Sequence, residues 1–93
     1  MSHKTYVKKS GKRESEPFDR KKLHDSIVST CLSTRSPMGV AQATASSVCE
    51  AVIIWLEPRT EVTTLDLRKK AAEQLAKQHP EAAYLYEQHK ITI

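Results

Sequence analysis

Eight cations crowd the first 25 residues. Lys4, Lys8, Lys9, Lys12, Arg13, Arg20, Lys21 and Lys22 stand there against only Glu14, Glu16, Asp19 and Asp25. The remainder of the chain holds seven cations and seven anions, so the formal net charge of +4 sits entirely at this end. A cationic end on a neutral body fits an anionic partner: a nucleotide, a nucleic acid or an anionic lipid. The same charges also fit a terminus that is merely well solvated.

Other chemistry is poorly served. A phosphate-cradling P-loop needs flanking glycines followed by Lys and Ser or Thr. Gly11 and Gly39 are the only glycines, and neither has that setting. The dinucleotide fingerprint is missing for the same reason. His3, His24, His79 and His89 form no i, i+4 pair and no H-E-x-x-H, and no serine lies in G-x-S-x-G. Cys31 and Cys49 form no C-x-x-C, which excludes a zinc ribbon or a thioredoxin-type motif. Both fall on apolar helical faces and read as buried thiols, which fits a reduced, cytoplasmic setting. The longest purely apolar run, Ala51 to Leu56, is far shorter than a bilayer span, and no signal-peptide pattern occurs. The expectation is a protein with no catalytic residues, no metal site and no membrane segment.

The elements that must position the cations follow from pattern. At 93 residues the chain reads as one domain, residues 1–93, with room for one core and one surface site. Thr5 to Val7 is β-prone, Ser10-Gly11 signals a turn, and Glu14 to Phe18 can return as a second strand. Asp19 is placed to cap a helix over about 20–33, along which Leu23, Ile27 and Cys31 mark an apolar stripe. Thr34 to Pro37 breaks it. Val48, Ala51, Val52 and Trp55 give the i, i+3, i+4, i+7 pattern of a second helix over about 38–56. Its small, polar first half leaves space for a close neighbour, and Glu57-Pro58 ends it. A third strand is expected within 59–63, with Thr64 as the cap of a third helix. Pro80 suits the first position of a fourth. The order β-β-α-α-β-α-α defines an α+β fold. Leu23, Ile27, Val48, Val52, Trp55, Leu67, Ala71, Leu75 and Leu85 are expected in the core.

The run Val7-Lys8-Lys9-Ser10-Gly11, then Glu16-Pro17-Phe18-Asp19-Arg20-Lys21-Lys22-Leu23, resembles the start of the ATP-cone family. Its members read close to V-K-R-D-G and E-P-F-D-x-x-K-L. Val62 to Leu67 is similar to the family's strand-to-helix junction, and Glu81 through Tyr86 to Lys90 to its last helix. The resemblance spans nearly the whole chain, and the first block is its most specific part. It implies a small four-helix bundle capped by a three-stranded sheet that includes an N-terminal hairpin. It also implies a non-catalytic, allosteric domain that senses ATP or dATP, with or without Mg2+. Such domains regulate ribonucleotide reductase, or the expression of its genes, through changes in oligomeric state. Self-association, or a larger regulated enzyme, is the implied partner.

Residue by residue, the resemblance assigns nucleotide binding to Val7, Lys8, Lys9, Glu16, Phe18, Lys22, Thr64, Arg68 and Lys90. Lys8, Lys9, Lys22, Arg68 and Lys90 would surround the phosphates. Val7 and Phe18 would flank adenine, Glu16 would accept from base or ribose, and the Thr64 hydroxyl would bond ribose or phosphate. Side chains such as Val7 and Phe18 are more often core than ligand, and Thr64 reads also as a plain cap. The sequence departs from the family at several points. Four residues separate Gly11 from Glu16 where two are usual. Ser10 and Lys9 replace the common Asp and Arg, Lys90 stands where Arg is frequent, and Arg68 where some members have His. No zinc ribbon precedes the match and no reductase barrel follows it, so the chain reads as an excised or stand-alone cone. Two other readings remain at this stage. One is a nucleic-acid-binding module, disfavoured by scarce aromatics and the lack of a basic helical stripe. The other is an interaction module whose nucleotide site has decayed.

Overall fold

A computed structural model describes residues 5–8 and 14–88. Its elements run β1 (Tyr6–Lys8), β2 (Ser15–Pro17), α1 (Arg20–Ser33), α2 (Met38–Leu56), β3 (Glu61–Thr63), α3 (Thr64–Ala76) and α4 (Pro80–Gln88). This is the α+β order that the sequence pattern predicts. β1 is the central strand of a three-stranded sheet, antiparallel to β2 and parallel to β3.

Local chemistry sets the helix ends. The Asp19 carboxylate accepts from the Lys21 and Lys22 amides at 2.9 and 3.4 Å and starts α1. α1 closes on Thr34, whose amide returns to Cys31 O at 3.1 Å, while the Arg35 amide returns to Leu32 O at 3.0 Å. Arg35 then takes a left-handed φ of 68°, a conformation that costs a non-glycine residue roughly 1–2 kcal/mol. α2 starts after Pro37 without a side-chain cap and ends at Glu57, just ahead of Pro58. α3 is capped by Thr63, not Thr64. The Thr63 hydroxyl accepts from the Asp66 amide at 3.1 Å, and Thr64 is already the first helical residue. Strand pairing explains the shift: Thr63 is the last β3 residue in register with β1, opposite Lys8, and its extended backbone is what a cap requires.

The helices form a bundle that meets the sheet at one end. α1 and α3 begin there and run away from it, while α2 and α4 return. The core holds Leu23, Ile27 and Cys31 of α1 and Val48, Cys49 and Val52 of α2, with Leu67, Ala71 and Leu75 of α3, all fully buried. Burying a leucine such as Leu75 is worth roughly 1.5–3 kcal/mol. α2 has a length of 19 residues and a mean hydropathy of 1.4, a composition that would also suit a membrane. Here its face at Ala41, Ala45, Val48, Cys49, Val52 and Leu56 is buried in the core. Burial pushes the Cys31 thiol up and the Cys49 thiol up to about 11, so neither ionises at neutral pH.

Two expected core residues sit elsewhere. Trp55 is only half-buried: it packs on the edge of the core, and the Arg59 guanidinium lies 4.4 Å above its ring centroid. Leu85 is also half-buried, and Tyr86 takes the interior position. α4 carries apolar residues at 82–86 without a break, so periodicity cannot choose its inner face. Packing against α1 and α3 chooses Ala82, Ala83 and Tyr86.

Candidate functional site

The sheet end of the bundle brings several of the expected residues together. β1 is fastened by its own backbone and by Thr5. The Tyr6 amide donates to Thr60 O and the Phe18 amide to Thr5 O, at 2.9 and 2.8 Å. The buried Thr5 hydroxyl lies within bonding distance of both Leu56 O and Arg59 O, at 3.1 and 2.9 Å. These bonds hold the start of the hairpin against the C-terminal end of α2.

Residues 16–22 turn from β2 into α1 and enclose an open depression of about 540 Å³, lined by Glu16, Pro17, Phe18, Asp19, Arg20, Lys21 and Lys22. That volume lies within the roughly 300–1,000 Å³ of small-molecule sites. Three of the expected ligands, Glu16, Phe18 and Lys22, line it together. Its three cations outnumber its two carboxylates. Lys21 is held by Asp25 at 2.9 Å, and that hydrogen bond raises the pKa of the lysine and lowers that of the aspartate. Lys22 is exposed and makes no ion pair among the described residues. Two amides of the first turn of α1, those of Lys21 and Lys22, are already engaged by the Asp19 carboxylate. A bound anion therefore relies on side chains or displaces the Asp19 carboxylate.

Lys8 and Thr64 meet directly, the Thr64 hydroxyl donating to Lys8 O at 3.3 Å. This fixes β1 to the first turn of α3. Arg68 lies one turn further along α3. Its Nε is buried and has no hydrogen-bond partner among the described residues. Burial pushes the neighbouring Tyr86 hydroxyl up to about 12, with the Arg68 guanidinium pulling the other way.

Sheet alternation divides the strand residues between two faces. Val7, opposite Glu16 and Val62, is 3% exposed and belongs to the core. This is the core reading of Val7: β1 turns its side chain onto the helices. Phe18 keeps both readings, since it packs partly against the core and also lines the depression. Lys8, opposite Ser15 and Thr63, faces outward, on the other side of the sheet from Glu16. Lys9 and Lys90 lie outside the described residues, as do Lys12 and Arg13.

One residue that sequence reasoning passed over belongs in the description. Tyr6, two before Lys8 and hence on the same outer face, is 41% exposed and sits opposite Pro17 and Glu61. The alternation Tyr6-Val7-Lys8 was the available signal: an apolar residue between two amphipathic ones points inward and they point outward. Across that face the Ser15 hydroxyl donates to the Glu61 carboxylate, linking the two edge strands. No group of three or more His, Cys, Asp or Glu side chains among the described residues could hold a metal ion.

No family model, curated protein or solved structure matches the chain.

Proposed function

We propose that this protein is a non-catalytic, ATP-cone-like domain that binds an adenine nucleotide, ATP or dATP, at the sheet end of its bundle. The observation that carries the reading is the depression at residues 16–22. It unites an aromatic ring, two carboxylates and three cations in one open space. Those are the groups a nucleotide uses: an apolar face for the base, an acceptor for base or ribose, and cations for phosphate. Arg68, whose buried Nε has no partner among the described residues, is a further cation of the reading, on α3. In this reading binding alters the association of the domain with itself or with a larger enzyme, and so regulates ribonucleotide reduction or its gene expression. Catalysis has no part in it.

Titration by calorimetry or NMR with ATP, dATP and GTP, with and without Mg2+, tests the proposal. Charge-assisted bonds to phosphate contribute roughly 1.5–3 kcal/mol each. Lys22→Ala is expected to weaken ATP binding about tenfold to a hundredfold. Lys77→Ala, at the far end of α3, should change little. Lys8→Ala reports whether the outer sheet face belongs to the site. Equal, weak binding of all three nucleotides, indifferent to Lys22→Ala, would reduce the depression to a generic basic surface. No binding at all would favour a decayed site.

A further inference from the structure

α4 lies antiparallel on α1, and the ties between them are polar. At the end far from the sheet, Nε2 of His79 lies 2.8 Å from the Thr34 hydroxyl and 3.1 Å from that of Ser36. Two turns along α4, the buried Tyr86 hydroxyl lies 3.0 Å from the Ser26 hydroxyl. Between these ties Thr30 of α1 and Ala82 and Ala83 of α4 are buried.

Ser26, Thr30 and Thr34 recur every four residues, so they form one stripe along α1. A hydroxyl has one proton and two lone pairs. Each proton on this stripe goes to the backbone of α1 itself. Ser26 donates to Leu23 O at 2.7 Å, Thr30 to Ser26 O at 3.0 Å, and Thr34 to Cys31 O at 2.8 Å. What the stripe offers its neighbour is lone pairs alone.

We infer that α1 presents an acceptor-only seam that fixes the register of α4 by admitting donors, with Tyr86 O–H donating to Ser26 and His79 Nε2–H donating to Thr34. The arrangement dictates the tautomer of His79. A bare Nε2 lone pair facing the Thr34 lone pairs at 2.8 Å would be repulsive, so the hydrogen of the neutral ring sits on Nε2. Ser36 shares that hydrogen as a second acceptor. The left-handed Arg35 between Thr34 and Ser36 turns the chain so that both hydroxyls reach the ring. The register is specific because the stripe is short. A one-turn slip in either direction brings one donor to Thr30 and carries the other past the end of the stripe. α4 returns from this far end to the sheet, so its register sets where its C-terminal end arrives beside the cap.

Two experiments test the seam. Imidazole 15N shifts of the unsubstituted protein, recorded well above the ordinary histidine pKa of about 6.5, should give the Nε2–H tautomer for His79. The Nδ1–H tautomer would overturn the inference. The second experiment is a stability cycle on the Tyr86–Ser26 tie. Ser26→Ala strands a buried Tyr86 O–H and should lower the folding equilibrium constant about tenfold or more. Tyr86→Phe leaves Ser26 bonded to Leu23 O and should cost less. The double variant should recover part of the Ser26→Ala loss. Equal losses in the two single variants, or strict additivity in the double, would contradict the donor assignment.

Discussion

The sheet cap and the helical body are held by different forces. The cap has three strands of three residues, and its strands contribute only Val7 and Val62 to the buried apolar core. It is attached by a handful of directional bonds: Tyr6 N–H to Thr60 O, Phe18 N–H to Thr5 O, and the hydroxyls of Thr5 and Thr64 to backbone carbonyls. The body carries every other buried apolar side chain. Apolar burial is roughly proportional to area and non-directional, whereas each bond of the cap contributes a net of only about 0.5–1.5 kcal/mol and is lost with small displacements. The cap is therefore the part expected to open locally at low free energy, and it carries Lys8 and Glu16 of the candidate nucleotide residues. A ligand that spans cap and body would stabilise the weaker region most.

Substitutions can separate the two regions. Leu75→Ala, in the fully buried stripe of α3, should destabilise the whole molecule by about 2–5 kcal/mol, with cap and helices lost together in denaturant. A helical signal that outlives the cap by a wide margin in this variant would mean that the body is not one cooperative unit. Val7→Ala should cost about 1.5–2.5 kcal/mol, from two lost methyl groups and the space they leave. Amides of β1, β2 and β3 should exchange at a lower opening free energy than those at Ile27 and Leu75, and Val7→Ala should lower both by the same amount. Equal opening free energies in cap and core of the unsubstituted protein would erase the distinction between cap and body. Gly39→Ala is the mildest test. A Cβ at Gly39 would meet nothing within 4 Å, and alanine should stabilise α2 by roughly 0.5–1 kcal/mol. The melting temperature should rise, with no change in local opening of the cap. Faster or slower cap exchange would reveal coupling from the far end of the bundle to the sheet.

Much of the body was legible in the sequence because its punctuation is local. Asp19, Pro37, Glu57-Pro58 and Pro80 mark helix ends by chemistry that acts within a few residues. The errors arose where two neighbours are equally suited. Thr63 and Thr64 can both cap a helix, and only the pairing of Thr63 opposite Lys8 decides between them. Leu85 and Tyr86 are both apolar enough to be buried, and only the packing of α4 decides. The site was less legible. Strand alternation alone turns Val7 inward and Tyr6 outward, whereas the motif resemblance carries no information on which face of the sheet a residue takes. The gathering of Glu16, Phe18 and Lys22 is a property of one short turn and could be anticipated. The outward placement of Lys8, opposite Ser15 and Thr63, depends on pairings that only the fold supplies.

The central place of β1 has a consequence for the time course of folding. During synthesis β1 emerges well before its sheet neighbour β3. Thr5 bonds to Arg59 across 54 residues, and Thr64 to Lys8 across 56. Closing a chain loop of that length costs roughly 3–4 kcal/mol of entropy before any contact offsets it. The helical hairpins α1–α2 and α3–α4 close far shorter loops and should consolidate first, after which β1 docks onto an existing body. Val7→Ala should then speed unfolding and leave the refolding rate almost unchanged in stopped-flow measurements. A refolding rate that falls in step with stability would instead put the N-terminal strand in the nucleus, with the body assembling around it.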